Sequence, residues 1–115
     1  MILPKLIEYL SNALSPVYVG VEAPTQLTGY VLIDQTGSST ENHITTTTVA
    51  VQSYGESLYK ALQLNENVKT AMLGFVGEPY VSSVKLETDY NFTNTATKQY
   101  RWQAVYHITH YLGGI

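Results

Sequence analysis

Polar and apolar positions change period several times along the chain, and each change marks an element. Near the start, Leu3, Leu6, Ile7, Leu10 and Leu14 recur on one helical face, while Lys5, Glu8, Ser11 and Asn12 take the other side. Pro4 falls where a helix has no partner for its N–H anyway, and Pro16 forbids continuation. The pattern predicts a helix over residues 2–14. Val17-Tyr18-Val19-Gly20-Val21 reads as a short strand, and Pro24 marks a turn over residues 22–26. Residues 30–35, Tyr-Val-Leu-Ile-Asp-Gln, form a strand too apolar to have one wet face. Residues 36–42 supply nothing to a core and predict a polar loop, mobile in the isolated chain. From His43 to Ser53 the alternation is that of a long strand: Ile44, Thr46, Thr48, Ala50 and Gln52 point one way, Thr45, Thr47, Val49 and Val51 the other. Its Thr-rich start predicts a long hairpin with the preceding strand, tipped by the 36–42 loop.

Ser53 and Glu56 have the spacing of a capping box, so a helix is expected over about residues 54–73. Its apolar positions are Leu58, Ala61, Leu62, Val68, Met72 and Leu73. The face drifts between Leu64 and Asn67, which predicts a kink or two short helices, with Asn65 as the second cap. Gly74 and Gly77 end the segment. Residues 80–87 read as a strand with Val84 and Leu86 on one face. Residues 88–97 read as a second polar loop carrying Tyr90 and Phe92. The clearest strand is residues 99–111, where Trp102, Ala104, Tyr106 and Ile108 alternate with Arg101, Gln103, His107 and Thr109. Residues 112–115 are a short tail. The order α-β-β-β-α-β-β places the chain in the α+β class. A single domain over residues 1–115 is expected, with a mixed, mostly antiparallel sheet and helices on one face.

Composition narrows the function classes. The chain has 115 residues, enough to bury a core without staples, and it lacks Cys, which removes disulfides and thiolate metal sites. A net charge of −3 without Lys/Arg clusters argues against a nucleic-acid binder. No stretch reads as a signal peptide or a membrane span, so assembly in the cytoplasm is the expectation, and the sequon at Asn91 reads as chance. Ten Tyr stand against two Phe and one Trp, and Thr is abundant. Both suit strands, and Tyr also suits interfaces, where an apolar ring meets a wet edge.

Candidate chemistry along the chain is sparse. His107 and His110 are three apart, which on a strand sends them to opposite faces, so they make a poor ligand pair. Glu87 and Asp89 have the spacing of a carboxylate pair, but Asp89 falls in the polar loop, and a solvated pair explains them better. Ser53-Tyr54-Gly55 reads as a cap, not a nucleophile elbow. Gly74-Phe75-Val76-Gly77 lacks the Lys-Ser/Thr of a phosphate cradle. No catalytic residue, metal ligand or cofactor is expected. Tyr90 and Phe92 stand out instead: aromatics in a polar loop mark either a surface that meets a partner or rings folded over a sheet edge.

Four features belong together: the size, the element order, residues 100–108 (Tyr-Arg-Trp-Gln-Ala-Val-Tyr-His-Ile) as a closing strand, and Ser57-Leu58-Tyr59-Lys60-Ala61-Leu62 leading into Val68-Lys69-Thr70-Ala71-Met72 as a central helical region. In these the chain resembles the tail terminator, tail-completion or head-tail joining proteins of long-tailed bacteriophages. The resemblance implies a virion protein of the tail or neck, without bond-making chemistry. Such proteins form a ring, usually of six copies, on the last ring of the tail tube protein. The ring stops tube growth and presents a surface to the head-completion or connector protein. DNA passes through the lumen without specific binding, which an acidic wall favours, and no membrane is involved.

A ring needs a heterologous interface, one patch meeting a different patch on the next copy. The residues expected to supply it are Gln35, Thr36, Ser38, Thr40, Asn42, Thr45 and Thr47 around the first polar segment, and Tyr90, Phe92 and Asn94 in the second. Both segments are expected to order only on docking, which would prevent premature polymerisation. Two other readings stay open: a different binding module on a similar sheet, and a small enzyme using His107 or Glu87.

Overall fold

The computed structural model describes residues 2–111. The tail at 112–115 lies outside them. Helix α1 spans Leu3–Ala13, with Pro4 in its first turn. Strand β1 (Tyr18–Gly20) follows, then β2 (Tyr30–Glu41) and β3 (Ile44–Gly55). Helix α2 spans Leu58–Gly74 and runs into a single 3-10 turn, Phe75–Gly77. Strands β4 (Val81–Asn91) and β5 (Tyr100–Tyr111) complete the chain. The five strands form one sheet in the order β1-β2-β3-β5-β4. Only β1 and β2 run parallel; every other neighbouring pair is antiparallel. This is the α+β arrangement that the sequence pattern predicts.

Alternation along the strands sends one set of side chains toward the helices. Val31, Ile33, Val49, Val51, Ala104, Tyr106 and Ile108 share that side and are buried against Leu6 and Leu10 of α1 and Val68 and Met72 of α2. Phe75, fully buried, closes the core where α2 ends and packs at 5.1 Å, centroid to centroid, against Tyr9 of α1. The Tyr9 hydroxyl donates to the Ala71 carbonyl at 2.8 Å and ties the helices together. Both helices thus occupy one face.

Four local expectations are corrected. Residues 36–41 are not a loop. They continue β2, with Gly37–Glu41 paired in register to Thr48–Ile44, after a bulge between Gln35 and Gly37. The tip is only Asn42 and His43, both at left-handed φ (53° and 66°), the geometry of a two-residue hairpin turn. Thr propensity for strand outweighs the lack of core-forming residues here. Residues 88–91 likewise belong to β4, so the second loop shrinks to the residues around the Asn94–Gln99 bridge. The ordering-on-docking step therefore has no basis for residues 37–41 and 88–91, whose backbone is already laddered.

The helix cap also moves. Ser53 and Gly55 are still paired with Trp102 and Tyr100, and Ser57 instead caps α2, accepting from the Lys60 N–H at 3.2 Å. Gly55 lets the helix start sit on the strand end; a Cβ there would lie 2.6 Å from the Ala61 nitrogen. Finally, α2 is one helix. Its buried stripe is Ala61, Asn65, Val68 and Met72, so Asn65 occupies the core-facing position where the apolar pattern drifts.

Candidate interaction surface

The other face of the sheet has neither helix over it, and its side chains are set in cross-strand rows. The lowest row runs Tyr30, Tyr54, Arg101 and Phe92. Tyr30 and Tyr54 stack at 4.5 Å, and burial together with the neighbouring phenol pushes Tyr30 above its ordinary pKa. The Arg101 guanidinium lies 4.4 Å from the Phe92 ring centroid, while its Nε donates to the Phe92 carbonyl at 2.6 Å and Nη1 donates to the Tyr54 hydroxyl at 3.2 Å. Cation–π contact and hydrogen bonds together leave the guanidinium one geometry.

The next row is Leu32, Gln52, Gln103 and Tyr90. The Tyr54 hydroxyl donates to Gln52 Oε1 at 2.9 Å, Gln52 Nε2 donates to Gln103 Oε1 at 2.8 Å, and Gln103 Nε2 donates to the Tyr90 hydroxyl. Tyr90 meets Phe92 edge to face at 5.9 Å. Tyr30 and Tyr54 are buried by their neighbours, whereas Tyr90 and Phe92 are about 40% exposed. Higher up, His107 bridges Thr48 Oγ1 and Glu87 Oε1, each at 2.9 Å. Ile44 and Tyr111, paired at the top, are exposed apolar side chains on the same face.

The sequence-derived interface residues fall into two separate groups. Gln35, Thr36, Ser38, Thr40 and Asn42 line the exposed part of β2 and the hairpin tip. Tyr90, Phe92 and Asn94 lie toward the opposite end of the strands, roughly 30 Å from the hairpin tip. Asn94 orders its turn by accepting from the Ala96 and Thr97 N–H groups at 3.1 and 3.4 Å. Thr45 and Thr47 do not fit an exposed interface. Both are buried on the helix side, Thr45 beside Thr40 (2.9 Å) and Thr47 beside His110 Nε2 (3.0 Å). Sequence reasoning missed Arg101, Gln103, Gln52 and Tyr54. The signal was their shared parity on adjacent strands, which needs the pairing partners to be read.

The carboxylate pair does not form. A bulge between Leu86 and Thr88 turns Glu87 to the open face with His107, while Asp89 points to α2. His107 and His110 take opposite faces, as their spacing requires. Among the described residues, no three His, Asp or Glu gather in a metal-ligating arrangement. No helix in them is long and apolar enough to cross a membrane.

His110 carries a pH dependence. It is buried, its Nδ1 has no partner among the described residues, and burial pushes its pKa below the usual histidine value. The folded form holds the ring neutral, while the unfolded chain takes up a proton near pH 6.5. Stability is therefore full above about pH 6.5 and falls as the pH drops toward the lower folded-state value. Urea midpoints at pH 7.5 and 5 should show this decline, and His110→Gln should flatten it. An undiminished decline in that variant would assign it elsewhere.

Models of known protein families give no match to the chain, and a search of curated proteins finds no relative.

Proposed function

We propose that this chain is a structural part of a bacteriophage tail, which caps the completed tube as a ring and offers a joining surface to the head connector. The observation that carries this reading is the helix-free sheet face. Its Arg101, Tyr54, Tyr90 and Phe92 side chains are locked to one another by hydrogen bonds and ring contacts. Tyr and Arg are the residues that anchor protein interfaces, and side chains ordered before contact lose little entropy on docking. The element order agrees with the resemblance drawn from residues 57–72 and 100–108. In this role the face acts by shape and contact, and the acidic balance of the chain lets DNA slide past.

Electron microscopy of particles lacking the protein tests the reading: tails of runaway length, or tails without heads, are expected, and normal joined tails would sink it. A sharper test is Arg101→Ala. The variant should fold, since the residue sits at a sheet end, but co-sedimentation with purified tail tubes should weaken at least about 30-fold, as for an interface anchor. Unchanged co-sedimentation would remove this face from the interface.

A further inference from the structure

The sheet has two open edges, and they match. On one side β1 pairs only with Tyr30–Leu32, so the outer edge of β2 from Ile33 to Glu41 has no neighbour among the described strands. On the other side the outer edge of β4 has no neighbouring strand among the described residues. The strand directions make β2 and β4 antiparallel within one copy. Placed side by side by a rotation, the β4 edge of one copy meets the β2 edge of the next in antiparallel sense. Unpaired backbone groups on such edges are templates for another chain.

The edges also agree in level and charge. The cross-strand registers place Gly37, Thr48, His107 and Lys85 in one row, and Ser39, Thr46, Thr109 and Ser83 in the next. Asp34 lies on the same face, one row from Lys85 once its own row of Ala50, Val105 and Thr88 is counted. Both charged side chains are exposed, and neither has an ion-pair partner among the described residues. A Lys side chain spans that step. We infer that copies of this chain join edge to edge, β4 of one against β2 of the next, with Lys85 pairing across the joint with Asp34. The inference rests on the proposed ring and names the surfaces that build it.

The joint is heterologous, so it continues from copy to copy and closes only if the rotation does. It is also short. Bulges at Ser82 and Glu87 on β4 and at Thr36 on β2 break both edges into short regular runs, the central ones being Ser83–Leu86 and Gly37–Glu41. A few backbone hydrogen bonds do not offset the freedom a free copy loses on association. Copies already held side by side on a tube have a high effective concentration, and there the same joint forms. The bulges thus do the work that disordered loops were expected to do.

The chain has no Cys, so engineered pairs are unambiguous. Ser39→Cys with Ser83→Cys, bound to tail tubes and treated with a short bismaleimide, should give a ladder of linked copies, while either single variant should give none. Lys85→Asp or Asp34→Lys should lower ladder yield at least tenfold, and the two together should restore it. Tube binding without a ladder, or dimers from a single variant, would overturn the edge joint and leave the tail reading standing. No association of copies on tubes in the unaltered chain would overturn both.

Discussion

Replacing Phe75 with alanine lowers the stability of the fold by about 3–5 kcal/mol, the range for removing a large aromatic from a core that cannot collapse around the void. Phe75 is fully buried and begins the turn that carries the chain from α2 to β4. Its ring rests on Tyr9, whose hydroxyl is held by Ala71, so α1 cannot settle inward without breaking that bond. A domain of this size has about 5–15 kcal/mol in all, so the variant would sit near the edge of folding. Urea unfolding measures the change directly. A loss under about 1 kcal/mol would mean that the helix layer repacks freely and that the 3-10 turn is not a pinned junction.

Much of the architecture was legible because burial follows period. Leu3, Leu6, Ile7 and Leu10 announce α1, and the alternation from Arg101 to Thr109 announces β5. The misreadings have a common cause. Residues 36–41 and 88–91 are strands whose side chains are mostly exposed, so hydrophobic pattern says nothing about them; their backbone is ordered by partners far away in sequence. Asn65 failed in the opposite sense. A polar residue in a helix reads as a break, yet here it is fully buried because Asp89, on a strand 24 residues later, accepts its N–H. The open-face network was hidden for the same reason. Arg101 and Tyr54 are 47 positions apart, and only the register of β3 on β5 makes them neighbours.

The same registers give the two faces different tasks. On the helix side, polar groups such as Asn65 and Thr47 are buried and spent on internal bonds. On the open side, Gln and Tyr groups are bonded along the surface, which stiffens a face that no helix supports.

Asp89→Ala should cost about 2–3 kcal/mol, mostly through what it leaves behind. Asp89 Oδ2 accepts from Asn65 Nδ2 at 2.9 Å, Lys69 Nζ at 3.2 Å and Trp102 Nε1 at 3.3 Å, so one oxygen ties α2, β4 and β5 together. Burial opposes its charge, but the bonds from Lys69 and Asn65 and the Lys69 charge win, and the carboxyl is held below its ordinary pKa. In the alanine variant Asn65, with its Oδ1 already unpartnered, loses its one side-chain bond inside the core. Asp89→Asn keeps an acceptor and should cost clearly less. The carboxylate's contribution is complete above the unfolded value near pH 4 and disappears as the pH falls through the lower folded-state value. Acid unfolding of Asp89→Asn should therefore lack that step. Equal losses from the alanine and asparagine variants would show that the negative charge, and not a neutral acceptor oxygen, holds α2 to the sheet.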